Sequence, residues 1–212
     1  MQFLRELKQL NEAYIDRGIE DELKRQGYHF LGSGVDQQAW RAKNGTVIKI
    51  FGTNGTGKAS GGHKMFYVWE KFCKKWSHSH LVPHHIEFSQ FKFKGKAYLQ
   101  IRMEHLFSLT DRMSTHIEGV VNRATEMPLE AFKRYISDEI GTSENHFLAA
   151  RRSRRLSEII GAIDDIEEFW DIVNELAKIS MSHDWQFDLH EGNLMLDDHG
   201  KLVIVDPWHT GD

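Results

Sequence analysis

The segment from Phe187 to Trp208, FDLHEGNLMLDDHGKLVIVDPW, constrains this chain more than any other. LMLDDHGKLVIVD reads as two short strands about a polar turn. A carboxylate, Asp188, and an amide, Asn193, precede that turn, and a second carboxylate, Asp206, follows it. Two acids and an amide are hard oxygen ligands. They suit Mg²⁺ carried by a nucleotide, with one acid left over as a base or hydroxyl-orienting group. Asp206 precedes Pro207, which disfavours the α region and is expected to hold Asp206 extended at the strand end. The alternative reading is that Asp188 caps a turn and Asp206 ends a strand. Phosphoryl transfer is the leading chemistry.

Upstream, the chain of 212 residues has room for one large domain or two small lobes. Phe3, Leu4, Leu7 and Leu10 recur at helical spacing, so residues 1–27 read as an N-terminal helical segment. YHFLGSG, AWRAK and TVIKIF then read as strands, with Asn44-Gly45 as a hairpin turn. Gly52 to Gly62 holds five glycines and is expected to be a loop. His63 to Trp76 reads as a helix, and Ile86–Phe93 and Lys96–Met103 as two further strands around Lys94-Gly95. From Phe107 to Ser182 the reading is almost wholly helical. Ile159, Ile160, Ile163, Ile166, Phe169, Trp170, Ile172 and Val173 form one wide apolar surface suited to a core helix. The expected boundaries are 28–105 for a β-rich lobe and 106–212 for a mostly helical one.

The formal charge of −4 gives no global drive toward nucleic acid or anionic membrane. The single cysteine, Cys73, allows no internal disulfide and fits a reducing compartment. The N-terminus MQFLRELKQL lacks the apolar core of a signal peptide, and no window approaches about 18 uncharged apolar residues. A cytoplasmic location is expected, with no membrane partner.

Several further residues are chemistry-bearing. Gly32 and Gly34 flank Ser33 in the turn after the first strand, where glycine lets a backbone approach phosphate oxygens; an ordinary tight turn is the alternative. Lys49 lies inside the apolar run VIKIF, where a cation is costly unless an anion meets it. Period-two alternation puts Val47, Lys49 and Phe51 on one face. Glu70 is the sole acid between Lys49 and Glu87, which makes Lys49–Glu70 a specific ion-pair expectation. An edge-strand lysine and a solvated helix face are the alternatives. GTNGTGKA, Gly52 to Ala59, falls short of a P-loop because Ala59 stands where Ser or Thr should reach Mg²⁺. His78, His80, His84 and His85 lack a paired cysteine motif or HExxH and read as loop histidines rather than a zinc site. The run Arg151, Arg152, Arg154, Arg155, followed by Asp164, Asp165, Glu167 and Glu168, reads as a solvated face of mixed charge.

Together these residues resemble the protein-kinase-like superfamily. DLHEGN, Asp188 to Asn193, is similar to the DLHPGN catalytic loop of aminoglycoside-type and related small-molecule phosphotransferases. FDLHEGNLM with VDP, and LGSG followed by VIKIF, resemble short bacteriophage-encoded serine/threonine protein kinases even more. YLQIRMEHL, Tyr98 to Leu106, is similar to the strand and hinge that hold adenine, which brings in Glu104 and Leu106. The resemblance covers roughly Tyr28 to Trp208.

The resemblance implies an α+β, bilobal protein-kinase-like fold, with a β-rich N-lobe, a reduced and mostly helical C-lobe, and ATP in the cleft. Lys49, fixed by Glu70, would hold the α/β-phosphates under the Gly32-Ser33-Gly34 turn. Asp188 would accept or orient the substrate hydroxyl, and Asn193 and Asp206 would hold Mg²⁺. The implied partner is a protein substrate, a host protein if the chain is phage-encoded.

There are departures. Gln37 stands where a third loop glycine is usual, Gln186 replaces the HRD histidine, and Asp206-Pro207-Trp208 replaces DFG. Asp212 comes six residues after Asp206, so no activation segment is expected. The rivals are a small-molecule kinase, favoured by the His190 loop, and a pseudokinase that binds nucleotide or a partner.

Overall fold

The computed structural model describes residues 15–33, 37–52, 61–141 and 157–209. The fold mixes helices with antiparallel sheet and divides into two compact units. The first comprises Met1–Ser77 and Pro83–His105, the second His78–Val82 and Leu106–Asp212.

The first unit is built on a sheet of β1 (His29–Ser33), β2 (Gln37–Arg41), β3 (Val47–Phe51), β4 (Glu87–Phe93) and β5 (Lys96–Met103), in the order β1-β2-β3-β5-β4. Two turns use left-handed backbone. Gly45 closes β2–β3 at φ 87°, and Lys94-Gly95 close β4–β5 at φ 47° and 78°. Helix α1 (Arg17–Arg25) begins at Asp16, whose Oδ1 accepts the Gly18 N–H at 2.8 Å, and ends at Gly27, φ 82°.

Ile19 and Leu23, one turn apart on α1, join Ile15 against Trp40, Ile48, Ile50 and Tyr98 on one face of the sheet. Helix α2 (Gly61–Lys75) packs on the other face, where the Phe66 ring meets Phe51 at 5.5 Å and Phe88 at 5.2 Å. Covering both faces explains why every apolar residue of VIKIF is buried. β3 is flanked by β2 and β5, so Lys49 is not on an edge strand.

The second unit contains helices α3 (Asp111–Glu126), α4 (Leu129–Gly141) and α5 (Ile166–His183), with helical residues 157–163 before α5. Phe132 of α4 stacks on Phe169 of α5 at 6.4 Å. Asn174 of α5 donates from Nδ2 to the Ala124 carbonyl of α3 at 2.9 Å.

The expected single core helix from Ile159 to Val173 is broken. Asp164 is left-handed at φ 66°, and the Asp165 carboxylate caps α5 by accepting from Glu167 and Glu168 N–H at 2.9 and 3.0 Å. Capping chemistry overrides apolar periodicity here. The described part of Phe107 to Ser182 is almost wholly helical as expected, apart from β6 (Phe107–Ser108), which joins a small sheet β6-β8-β9 with β8 (Leu194–Leu196) and β9 (Leu202–Ile204). A separate two-stranded ladder pairs β7 (Gln186–Phe187) with β10 (Trp208–His209).

Residues 78–82 belong to the second unit. Leu81 O accepts the Ile204 N–H at 2.8 Å, and Ser79 Oγ donates to Glu168 Oε2 at 2.7 Å. No helix among the described residues is long and apolar enough to cross a membrane. Several sequence expectations fall outside the described residues: the start of the N-terminal segment, most of GTNGTGKA, Gly34 and the arginine run.

Candidate functional site

The hairpin of β8 and β9 positions the two parts of the site. Its turn is fixed by Asp197, whose Oδ1 accepts the N–H groups of His199 at 2.9 Å and Lys201 at 2.7 Å. Leu194 then pairs with Ile204, which sets Asn193 just before one strand and Val205-Asp206 just after the other. The Val205 N–H donates to the Asn193 carbonyl at 2.8 Å. On the other side, the Asp188 N–H donates to the Pro207 carbonyl at 2.9 Å, next to the Phe187–Trp208 pair of the β7–β10 ladder. Both neighbours of Asp206 are thus tied by backbone hydrogen bonds, one to Asn193 and one to Asp188. The structure brings the three predicted residues together.

The side chains agree. Asn193 Nδ2 donates to the Asp188 backbone carbonyl at 2.7 Å and to its Oδ2 at 3.1 Å. With the amide nitrogen committed to Asp188, the hard oxygen Oδ1 is the atom left to face a cation. Asp188, Asn193 and Asp206 are all half-buried. The base of the site is held by Trp208, whose indole N–H donates to the Leu176 carbonyl of α5 at 3.0 Å.

Asp206 itself differs from expectation. Its φ is 47°, left-handed rather than extended. The restriction from Pro207 is overridden because the chain must turn between β9 and β10 while both flanking residues stay hydrogen-bonded. A non-glycine residue held at positive φ is strained, and such strain concentrates at functional sites.

Two carboxyls beside this loop were not reached from the sequence. Glu118 of α3 shares a hydrogen bond with Glu191, which raises the Glu118 carboxyl above its ordinary value, with burial adding to the effect. The same bond lowers Glu191, so one shared contact moves the two carboxyls in opposite directions. Only the fold brings residues so far apart in the chain together.

In the first unit, Lys49 is half-buried on central strand β3, with Ala39 and Ile101 as register partners. Its face is the one carrying Phe51, against which Phe66 of α2 packs. Glu70 lies one turn beyond Phe66 on α2, and its Oε1 accepts from Lys74 Nζ at 2.7 Å. Gly32 and Ser33 end β1, beside an irregularity in the β1–β2 register. The Glu104 carboxylate accepts the N–H groups of His84 at 2.9 Å and His85 at 3.0 Å, a role in shaping the chain that the sequence did not announce. Leu106 is buried.

His78 faces Glu168 at 3.6 Å. Among the described residues no group of three or more His, Cys, Asp or Glu is placed to hold a metal ion. An Asn–Asp pair supplemented by phosphate oxygens is a different kind of site and needs no such group. Cys73 is buried, and burial pushes its thiol well above the ordinary range.

No protein-family model matches the chain, and no curated protein matches it. Among the solved structures similar to it are two phosphotransferase complexes. One is the streptomycin–ATP–APH(2'')-IIa ternary complex, with 10% identity over 94% of this chain and 73% of that chain, at a TM-score of 0.32. The other is ADP-bound aminoglycoside phosphotransferase APH(2'')-Ib, with 10% identity over 93% of this chain and 73% of that chain, also at 0.32. At that identity and TM-score, neither fold nor function is inferred from the likeness.

Proposed function

We propose that this chain is an ATP-dependent phosphotransferase of the protein-kinase-like kind, moving the γ-phosphoryl group of ATP to a hydroxyl. The observation that carries this is the convergence of Asp188, Asn193 and Asp206, with the Asn193 amide turned toward Asp188 and its oxygen left for a cation. In this reading Asp188 accepts or orients the acceptor hydroxyl. Asn193 and Asp206 hold Mg²⁺, which when bound offsets the charge of the transferring group.

Lys49 holds the α/β-phosphates with Glu70 as its partner, while Glu70 Oε1 also accepts from Lys74. Gly32, Ser33 and Gly34 present backbone N–H groups to the phosphates. Glu104 and Leu106 offer backbone groups to adenine, since the Glu104 carboxylate is engaged at His84 and His85. Positioning and charge neutralisation supply most of the rate in such chemistry.

A phage-type serine/threonine protein kinase acting on host proteins is the first choice of acceptor class, from the FDLHEGNLM and VDP motifs. A small-molecule kinase is the second. The DLHEGN loop around His190 and the helical stretch before it favour it. Incubation of the protein with γ-labelled MgATP and lysate separates the readings. Label on serine or threonine supports the first, label on small metabolites alone supports the second, and no label at all points to a pseudokinase.

A further inference from the structure

The catalytic assignments above make no use of His190, yet its ring is engaged by its own loop. It folds back over its own loop, so that Nδ1 accepts the Gly192 N–H at 2.9 Å. A neutral imidazole has one acceptor nitrogen and one N–H. With Nδ1 accepting, the proton sits on Nε2. That nitrogen lies 3.7 Å from Asp188 Oδ2 and 3.2 Å from Asn193 Nδ2. Asn193 Nδ2 already donates to Asp188, so it makes no hydrogen bond with Nε2–H, and the 3.7 Å to Oδ2 is electrostatic reach rather than a formed hydrogen bond. The Asp188 carboxylate is the acceptor that both of them face.

Gly192 supplies an independent observation. A Cβ built there would lie 2.6 Å from His190 Cε1 and 3.1 Å from Nδ1. Its backbone is not left-handed, unlike that of Gly27, Gly45, Gly95 and Gly200. Glycine is therefore present for space, and the ring of His190 fills that space. The pattern His190-x-Gly192-Asn193 has a physical meaning: the residue two places on must lack a side chain if the ring is to reach back to the Asp188–Asn193 pair.

We propose that His190 is a positioning residue: seated on Gly192, its Nε2–H side holds the Asp188 carboxylate in the orientation that an acceptor hydroxyl requires. The proposal rests on the reading of Asp188 given above. His190 acts through Asp188 and is not assigned a contact with ATP or acceptor.

The test is a double-mutant cycle in the full chain, with MgATP and water as acceptor, read as phosphate release. His190→Ala and Gly192→Ala are each expected to lower kcat roughly 100-fold, the scale of a misplacement near 1 Å, with KM for MgATP unchanged. The double variant should be no worse than either single one, because both changes remove the same ring from the same place. His190→Gln, which can carry an amide N–H toward Asp188, should recover part of the loss.

Undiminished kcat in His190→Ala, or additive losses in the double variant, would overturn the proposal. Imidazole ¹⁵N spectra of the resting protein read the geometry without turnover. The Nε2–H form is expected, and loss of its signature in Gly192→Ala; an Nδ1–H form in the wild type overturns the proposal while leaving phosphotransfer intact. A wild type that shows the expected spectra but passes label from γ-labelled MgATP to neither water nor any lysate acceptor overturns the phosphotransfer reading, and the role given to His190 with it.

Discussion

The side-chain amide of Asn193 donates to Asp188 twice, to its backbone carbonyl at 2.7 Å and to its carboxylate at 3.1 Å. That relationship fixes which atom of each residue faces outward. Asn193→Asp would replace a donor by a second carboxylate and set like charges against each other. Transfer from MgATP should fall roughly 100-fold, on the scale of losing one preorganised hydrogen-bond donor in a catalytic site. A circular dichroism spectrum matching wild type would confirm that the fold survives, and unchanged turnover would remove Asn193 from the site.

Glu70 is engaged by Lys74 on its own helix at 2.7 Å, a partly exposed pair one turn apart. Such pairs contribute little to stability, about 0.3–0.5 kcal/mol, so exchange for another cation is cheap. If Glu70 serves Lys49 during turnover, Glu70→Gln lowers kcat while Lys74→Ala leaves it unchanged. Equal losses in the two variants would assign Glu70 to Lys74 alone.

Trp208 ties the β7–β10 ladder to α5 through its indole N–H and the Leu176 carbonyl. Trp208→Phe keeps an aromatic ring near Trp185 but removes that buried donor. The expected loss is about 1–2 kcal/mol, read from the urea midpoint at constant m. A change below a few tenths of a kcal/mol would mean that the indole bond is not what secures this ladder.

The start of α1 should show in the acid limb of stability. The Gly18 N–H, and then the Lys94 ammonium, hold the Asp16 carboxyl below its ordinary value of 3.8. A carboxyl lowered on folding contributes stability that is full above 3.8 and is lost as pH falls through the folded value beneath it. Between about pH 5 and pH 2, the wild type should therefore lose more stability than Asp16→Asn. Parallel curves for the two proteins would contradict the assignment. The site is crowded: a Cβ on Gly18 would come within 3.0 Å of both Asp16 Oδ1 and Lys94 Nζ.

Local chemistry was legible in the sequence wherever it governs local structure. Asn44-Gly45 and Lys94-Gly95 close hairpins, and the polar turn of LMLDDHGKLVIVD closes a third. The neighbourhood of Asp188, Asn193 and Asp206 follows from that third turn. What was not legible depends on partners distant in sequence. Asp206 is left-handed because β10 must return to β7, an interaction that overrides the local preference of a residue before proline. β6 is a strand only because β8 pairs with it. The break at Asp164 is a local signal of another kind, a capping aspartate whose weight was hidden by the apolar run around it. The ring of His190 was not legible either, because the space it fills at Gly192 exists only once the loop is folded.

Asp206→Ala tests the central claim most directly, with transfer of label from γ-labelled MgATP as the measurement and wild type as reference. The account predicts label transfer by the wild type and a fall of roughly 1,000-fold in the variant, with the thermal transition retained. Wild-type rates in a folded Asp206→Ala protein would contradict it.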